Sequence, residues 1–388
     1  MKKNIIPVLS IACMLSVLTM FTACMNNDEE TIIIETPYTG IPDDSQATAN
    51  PNVINPTTQI PNIQTTLEYM NGIPVIRVDM TGIKNTEGIE WLRLLGTGQE
   101  GQNVWVEVDG KPKGILVYNN SDDIDENAIK TDVVFTVDNS GSMSEEADAI
   151  ARDILSWAQL LSNSRLDVKF GVVGYGGYVS GAINITSVSE LSNFLNEGSG
   201  TGRTKHFGGS EATQLDEYAS KFPSTGTSVS SNECGAMAIQ FADNYFSFRS
   251  GANRVYVNFT DEPNQPDGNS GYSVKFFEDQ NNWPAAKGTV HTVFSAGVFT
   301  TNTWNKKEQP WLISEYTGGT TLFTSSSFSG VTLESLPVTG AMENSYIIRF
   351  ANIEELLDGN YHLVHITIIS VDGTVKADKT FNVLFPKR

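Results

Sequence analysis

The chain has 388 residues, enough for two or three domains of roughly 100–200 residues each. Hydrophobic residues make up 39% of it and charged residues only 18%, which is typical of loop-rich extracellular domains with β-structure rather than of long solvated helices. The formal net charge of −20 provides no cationic field to displace the counterions of DNA or RNA, so we exclude nucleic-acid binding.

The first 23 residues have the pattern of a secretory signal peptide. Two lysines precede an apolar stretch from Ile5 to Phe21, which is too short for a stable membrane span. The sequence Thr22-Ala23-Cys24 resembles the cleavage box of bacterial lipoproteins, which implies removal of residues 1–23 and a membrane anchor of palmitate-type lipid on Cys24. Acidic residues at 28–30 resemble the surface-export signal of Bacteroidetes lipoproteins. We therefore expect an outer-membrane lipoprotein of the bacterial cell envelope, exposed at the surface.

Residues 24–66 are rich in Thr, Pro, Asn and Ile without a sustained period, which predicts a tether. An antiparallel β region is predicted over 67–128, where the turn dipeptide Asp109-Gly110 separates two β-like segments. Its predicted strands are 73–80, 91–95, 104–108 and 114–118.

From 129 to 327 strands and helices alternate. Val133–Val137 is a continuous apolar run, as expected of a parallel strand buried on both faces. It is followed by an amphipathic helix over 145–161, with Ile150, Ile154 and Trp157 on one face. Further strands are predicted at 168–175, 254–260, 289–294 and 321–323, and further helices at 188–195, 212–222, 233–246 and 308–317. The alternation predicts an α/β domain with a doubly wound, mostly parallel sheet.

Residues 335–388 turn to β-structure again, with strands predicted at 345–350, 362–369 and 379–384. Each β flank alone is small for an independent core. We therefore expect one β-sandwich built from both flanks, with the α/β domain inserted in it. Two separate small β domains are the alternative.

Two segments carry a family resemblance. The sequence VVFTVDNSGSM at 133–143 resembles the first strand and Asp-x-Ser-x-Ser loop of von Willebrand factor type A (VWA) domains. The sequence SEYTGGTTLF at 314–323 is similar to that family's closing helix, Gly-Gly stop and last strand. The resemblance implies a VWA/Rossmann-like fold with a metal-ion-dependent adhesion site (MIDAS) at the Asp138 loop.

The residue types in that loop suit a hard cation. Asp138 supplies charge, and Ser140 and Ser142 can aim two hydroxyls at one point, while Gly141 permits the sharp turn between them. Oxygen ligands of this kind favour Mg²⁺, with Mn²⁺ or Ca²⁺ as alternatives. The other interpretation is a turn that only caps the next helix.

The resemblance implies two further ligands. Asp261, after the strand 254–260, matches the family's second acidic position. Glu233 falls where the family usually has a threonine, and Ser230 and Thr227 remain rivals for that role. A first-turn helix acid is the alternative for Glu233. A third carboxylate would make the ion less electrophilic toward an acidic partner, which weakens the expectation of carboxylate capture.

These features predict a binding module that engages a protein or glycan partner through its metal site, rather than an enzyme. A scaffold of the envelope with a purely stabilising metal is the alternative. No nucleophile with a matching base is evident, and His362 and His365 should point to opposite faces of one strand, which excludes a zinc pair.

Overall fold

The computed structural model describes residues 39–85, 90–119, 129–144, 146–162, 166–197, 202–208, 233–295, 308–324 and 337–388. The predicted signal peptide, Cys24, the helix predicted at 212–222 and the rival ligands Ser230 and Thr227 lie outside these residues. Residues Tyr38–Arg388 form one compact unit. None of the helices in the described segments is long and apolar enough to cross a membrane.

The described strands are β1 Ile63–Met70, β2 Ile73–Met80, β3 Val104–Val108, β4 Lys111–Pro112, β5 Ile115–Asn119, β6 Lys130–Asp138, β7 Asp167–Tyr175, β8 Val179–Thr186, β9 Asn253–Thr260, β10 Thr289–Ser295, β11 Thr321–Thr324, β12 Tyr346–Phe350, β13 Tyr361–Ile369 and β14 Lys376–Leu384. The α-helices are α1 Ala147–Ser162, α2 Val188–Glu197, α3 Arg203–His206, α4 Gly235–Tyr245, α5 Trp311–Thr317 and α6 Pro337–Glu343.

The central sheet has six strands in the order β11-β10-β9-β6-β7-β8. All of its pairings are parallel except that of β7 with β8. The apolar run predicted to be a buried strand is β6, and it lies in the middle of the sheet. The prediction of a doubly wound, mostly parallel sheet is confirmed, and the strand order places the chain's direction switch between β6 and β9.

Helices cover both faces of the central sheet because successive side chains of each strand point to opposite faces. Val133, Phe135 and Val137 pack with the buried face of α1, including Trp157. Val134 packs on the opposite face in a cluster that includes Met237 of α4 and Ile313 of α5. Helix α5 ends at Gly318, whose φ of 76° is the left-handed conformation expected of the predicted Gly-Gly stop.

Two four-stranded antiparallel sheets flank this α/β region, in the orders β1-β2-β12-β5 and β14-β13-β3-β4. Each sheet combines strands that precede residue 120 with strands that follow residue 345. One hydrophobic cluster contains side chains of both sheets, among them Val78, Val106, Ile348 and Phe381. We call these two sheets together the antiparallel region.

Several local predictions differ from the structure. Strand β1 begins at Ile63, inside the predicted tether 24–66, and the buried Ile60 precedes it. The strand predicted at 91–95 is reduced to a single bridge between Lys84 and Trp91. There the amides of Leu94 and Leu95 donate to side chains, Asn119 and Asn103, instead of to a neighbouring strand.

Two elements were not predicted from the sequence. Strand β8 lies between the strand predicted at 168–175 and the helix predicted at 188–195. Helix α6 lies within the segment 335–388 predicted as the second β flank, yet Val338 and Met342 belong to the core of the α/β region. The apolar face of α6 explains this placement, because its side chains pack on the core of the central sheet.

Candidate metal centre

The carboxylate of Asp138 lies at the carboxyl end of the central strand β6 and is 1% exposed. Its Oδ1 accepts a hydrogen bond from the backbone N–H of Ser140 at 2.9 Å. Its Oδ2 accepts one from the Thr260 hydroxyl at 3.1 Å. Both oxygens are therefore held in place, by the loop on one side and by strand β9 on the other.

The two serines continue from this carboxylate to the next strand end. The Oγ atoms of Ser140 and Ser142 are 2.9 Å apart, and the Ser142 hydroxyl donates to Oδ1 of Asp261 at 3.2 Å. Strands β6 and β9 are parallel neighbours, so their ends meet at one edge of the sheet. The structure thus brings together Asp138, Ser140, Ser142 and Asp261, four of the five residues that the sequence singled out as metal ligands.

Glu233 lies next to this set, two residues before α4 begins. Burial, followed by the charges of Glu262 and Asp261, raises the pKa of Glu233 to about 7, against the lowering effect of its hydrogen bond with the Ser140 hydroxyl. Its Oε2 is buried and has no hydrogen-bond partner. Its backbone carbonyl accepts from the N–H of Gln265 at 2.8 Å, which fixes it beside the β9 end.

The edge carries an excess of negative charge. Burial raises the pKa of Asp138 well above its usual value, and the charges of Glu233 and Asp261 raise it further. Burial also raises the pKa values of Asp261 and Glu262. Within the described part of the chain none of the four carboxylates forms an ion pair. Buried carboxylates that lack a counter-charge are costly, and a bound cation relieves that cost.

Residues that the sequence analysis did not single out support this edge. Asn139 anchors the loop by donating from Nδ2 to the Ser180 hydroxyl at 2.8 Å and to the backbone carbonyl of Gly208. An added Cβ at Gly181 or Gly208 would collide with backbone atoms, so the backbone segments that contain these two glycines lie in close contact at the anchor. Thr260 is the other support. Its place before Asp261 at the end of a buried strand was a usable signal, whereas the contacts of Asn139 depend on the tertiary fold.

A buried polar group lies beneath the site. The hydroxyls of Thr136 and Tyr175 donate to Oδ1 of Asn258 at 2.8 and 3.0 Å. The space above is closed by the backbone of Gly235, where an added Cβ would lie 2.9 Å from Asn258 Nδ2. The start of α4, and with it Glu233, can therefore approach the sheet only because residue 235 is glycine.

The donor set fits a hard divalent cation. Across the described residues, no three acidic, histidine or cysteine side chains form a metal-binding group on their own. The candidate centre therefore depends on the serine hydroxyls as well as on the carboxylates. Carboxylate and hydroxyl oxygens are ligands that Mg²⁺, Mn²⁺ and Ca²⁺ accept. The orphaned Oε2 of Glu233 adds a further oxygen beside this set.

The histidines of β13 lie elsewhere. His362 contacts Asp109 and Asp358, at 2.7 and 3.2 Å, while His365 contacts Asp378 at 2.7 Å. The burial of alternate residues along β13 places the two imidazoles on opposite faces. They share no acidic partner among the described residues.

No protein-family model and no curated protein matches this chain. Among solved structures it is similar to the conserved hypothetical protein BatB from Bacteroides thetaiotaomicron, with 17% identity over 50% of this chain and 90% of that one and a TM-score of 0.30. An aerotolerance-related membrane protein from Bacteroides fragilis is similar over 51% of this chain and 94% of that one, with 15% identity and a TM-score of 0.29. The ArnB paralog VWA2 from Sulfolobus acidocaldarius is similar over 86% and 74%, with 7% identity and a TM-score of 0.31.

The strand order of the central sheet and the position of the Asp138 loop at its carboxyl edge are those of a doubly wound α/β fold, which is the fold class that the resemblance implied.

Proposed function

We propose that this protein is a cell-envelope lipoprotein whose VWA-like region is a metal-ion-dependent binding module. The observation that carries the proposal is the hydrogen-bonded set from Asp138 through Ser140 and Ser142 to Asp261, at an edge with an unrelieved excess of carboxylates. Asp138, Ser140, Ser142 and Asp261 would hold a divalent cation, with Glu233 beside them. Mg²⁺ is the first candidate, with Mn²⁺ and Ca²⁺ as the others.

The cation would supply an electrophilic centre for an oxygen atom of a protein or glycan partner. The protein's own residues would set the geometry of that contact. Thr260 and the Ser140 amide hold both oxygens of Asp138, so the carboxylate needs no rearrangement when the ion arrives. Preorganisation of this kind favours affinity because less order is lost on binding.

The rest of the chain would anchor and carry the binding module. Cys24 would attach the protein to the outer membrane, and residues after it would lead to the antiparallel region. We propose that the two antiparallel sheets form one β-sandwich on which the binding module is carried, supported by their shared hydrophobic cluster.

Isothermal titration of the tail-free protein with Mg²⁺ tests the metal site. Wild type should bind the ion and gain thermal stability, whereas the double variant Asp138→Ala with Ser140→Ala should do neither. An ion at 100 times its Kd stabilises the folded state by about 2.7 kcal/mol. Glu355→Ala, at an exposed acid remote from the site, is the matched control. Equal affinity for Mg²⁺ in wild type and double variant would contradict the proposal.

A purely stabilising ion is the second candidate function, and Glu233 favours it. The Glu233 carboxylate beside Ser140 would fill the space that a partner's carboxylate needs and would repel its negative charge. Binding of wild type to an array of proteins and glycans, with Mg²⁺ and with chelator, separates the two functions. A chelator that lowers the melting temperature but changes no binding on the array favours the scaffold.

A further inference from the structure

A second candidate site lies between the antiparallel region and the end of α5, away from the metal edge. It is a groove with a volume of about 340 Å³. One wall is formed by Gln59, Lys84 and Trp91, and the other by Glu315 and Thr320. Its volume and its place between two structural regions are those of ligand pockets in general.

Three of the polar side chains that line this groove are unpaired in the described structure. Gln59, Lys84 and Glu315 form no side-chain hydrogen bond or ion pair with any described residue. The Lys84 ammonium lies 5.0 Å from the centroid of the Trp91 ring and makes a cation–π contact there. An amide, an ammonium and a carboxylate therefore converge on one groove with their hydrogen-bonding capacity unused.

The indole of Trp91 is a fixed wall of the groove. Residue 340 of α6 packs against it so closely that a Cβ added at Gly340 would collide with the ring. The backbone of Gly82 approaches the ring from the same loop, since an added Cβ there would lie 3.0 Å from it. A rigid aromatic surface needs no ordering when a ligand packs on it.

The two charged groups of the groove favour neither sign of ligand charge. An anion would pair with Lys84 but would face Glu315, and a cation would pair with Glu315 but would face Lys84. A purely apolar ligand would strip water from three polar side chains and leave them unpaired. A neutral ligand with many hydroxyls avoids both costs, because a hydroxyl donates to the carboxylate and accepts from the ammonium and the amide.

We infer that this groove binds a neutral, hydroxyl-rich ligand, a short segment of uncharged oligosaccharide. The C–H groups of a sugar ring pack against the part of the Trp91 indole that Lys84, Gly82 and Gly340 leave exposed. Its hydroxyls donate to Glu315 and accept from Lys84 and Gln59. The site is independent of the metal centre, because none of its residues contacts Asp138, Ser140, Ser142 or Asp261.

Titration of the full exported chain with maltotriose, lactose, xylotriose and chitotriose tests this inference. Binding of at least one of these neutral probes is expected, with the same Kd in Mg²⁺ and in chelator. Gln59→Ala combined with Glu315→Gln removes one neutral hydrogen bond and the charge of another, so it should weaken binding at least tenfold. Binding should survive the Asp138→Ala and Ser140→Ala double variant, which separates this site from the metal site.

The controls are Gln46→Ala and Glu355→Gln, which remove the same groups from exposed positions outside the groove. Both should bind as wild type does. Trp91→Phe keeps a packed ring if larger changes at that position prevent folding. The inference is overturned if no neutral probe binds, if the groove variants bind as tightly as the controls, or if glucuronate or glucosamine binds more tightly than every neutral probe.

Discussion

Lys379 of β14 forms no ion pair with a carboxylate of any residue that the structure describes. Its ammonium donates to the backbone carbonyl of Ile60 at 3.3 Å and to Oδ1 of Asn62 at 3.0 Å. It also lies 5.0 Å from the centroid of the Phe381 ring. Burial lowers the pKa of Lys379 to about 8, from an ordinary value of 10.5. The charged form is therefore disfavoured in the folded protein.

A pH dependence of stability follows from this. The unfolded chain holds the Lys379 proton up to a pKa near 10.5 and the folded protein only up to about 8, so unfolding takes up a proton between these values. The free energy of unfolding should therefore rise with pH in this window. Relative to Lys379→Met, wild type should gain up to about 3 kcal/mol between about pH 7.5 and about pH 10.

Urea denaturation of both proteins at a series of pH values measures this difference. Lys387→Met, at an exposed lysine, is the control and should shift stability by the same amount at every pH. A constant difference between wild type and Lys379→Met across the series would show that burial does not depress this pKa.

The metal-site residues differ from Lys379 in how far the sequence reveals them. Asp138, Ser140 and Ser142 were predictable because a short loop after a buried strand brings them together without long-range contacts. Asp261 was predictable because parallel neighbours end at one edge. The roles of Asn139 and Gln265 were not, since each depends on a backbone that arrives from elsewhere in the fold. The same is true of Lys379, whose partners lie more than 300 residues earlier.

Among the elements, β14 is an edge strand of nine residues that the rest of the chain covers in part. The side chain of Gln280 donates to the carbonyl of Thr380 at 2.9 Å and accepts from the N–H of Asn382 at 3.2 Å, as a neighbouring strand would. Further along, the N–H of Thr57 donates to the carbonyl of Lys376 at 2.8 Å. Exposed edge strands invite pairing with other chains, and these contacts occupy the positions where that pairing would begin.

Gln280→Ala should therefore uncover the edge. We expect a loss of about 1–2 kcal/mol of stability, for two hydrogen bonds, and a concentration-dependent self-association that wild type lacks. Analytical ultracentrifugation over a range of concentrations measures the association, with Gln46→Ala as the control. A variant that stays monomeric at the highest concentration would show that Gln280 does not protect this edge.

The boundaries of an element were predictable where a long hydrophobic pattern determines them. They were not predictable where a hydrogen bond to one distant side chain determines them. Strand β6 and helix α1 have sustained apolar periods. The end of β6 and the start of α1, which border the site, each lie within two residues of the predicted position. The segment 91–95 has the composition of a strand, but side-chain amides of Asn119 and Asn103 take its hydrogen bonds. Strand β8 follows a glycine-rich turn and pairs in antiparallel register with β7.

At the scale of the molecule, the α/β region is inserted between two strands that are direct neighbours. Asn119, the last residue of β5, is paired with Tyr346, the first residue of β12, in an antiparallel register. The chain therefore leaves the antiparallel region and returns to it at one point. The hydrophobic cores are also separate, because Ala285 is the one described residue of the α/β region in the cluster that joins the antiparallel sheets.

The two regions should accordingly fold when they are separated. A protein in which residues 120–345 are replaced by an Asn-Gly turn joins β5 to β12 as a tight hairpin, a connection that suits antiparallel neighbours. The excised residues 129–344 keep all the strands of the central sheet and α6, whose Val338 and Met342 belong to that core. Both proteins should show cooperative urea unfolding, with lower stability than the parent because contacts such as that of the Gly82 N–H with the Ala341 carbonyl are lost.

A protein that ends at residue 119 should behave differently. It lacks β12 and β13, which are the neighbours of β2 and β3, so both antiparallel sheets lose a central strand. An antiparallel pair without further strands is at best marginally stable in water. We expect circular dichroism and amide exchange to show an unfolded chain for residues 39–119 and a folded one for the hairpin-joined protein. A folded 39–119 fragment would show that the sheets do not need the strands that follow the insertion. An unfolded hairpin-joined protein would show that strands from both sides of the insertion are not enough to form the sheets.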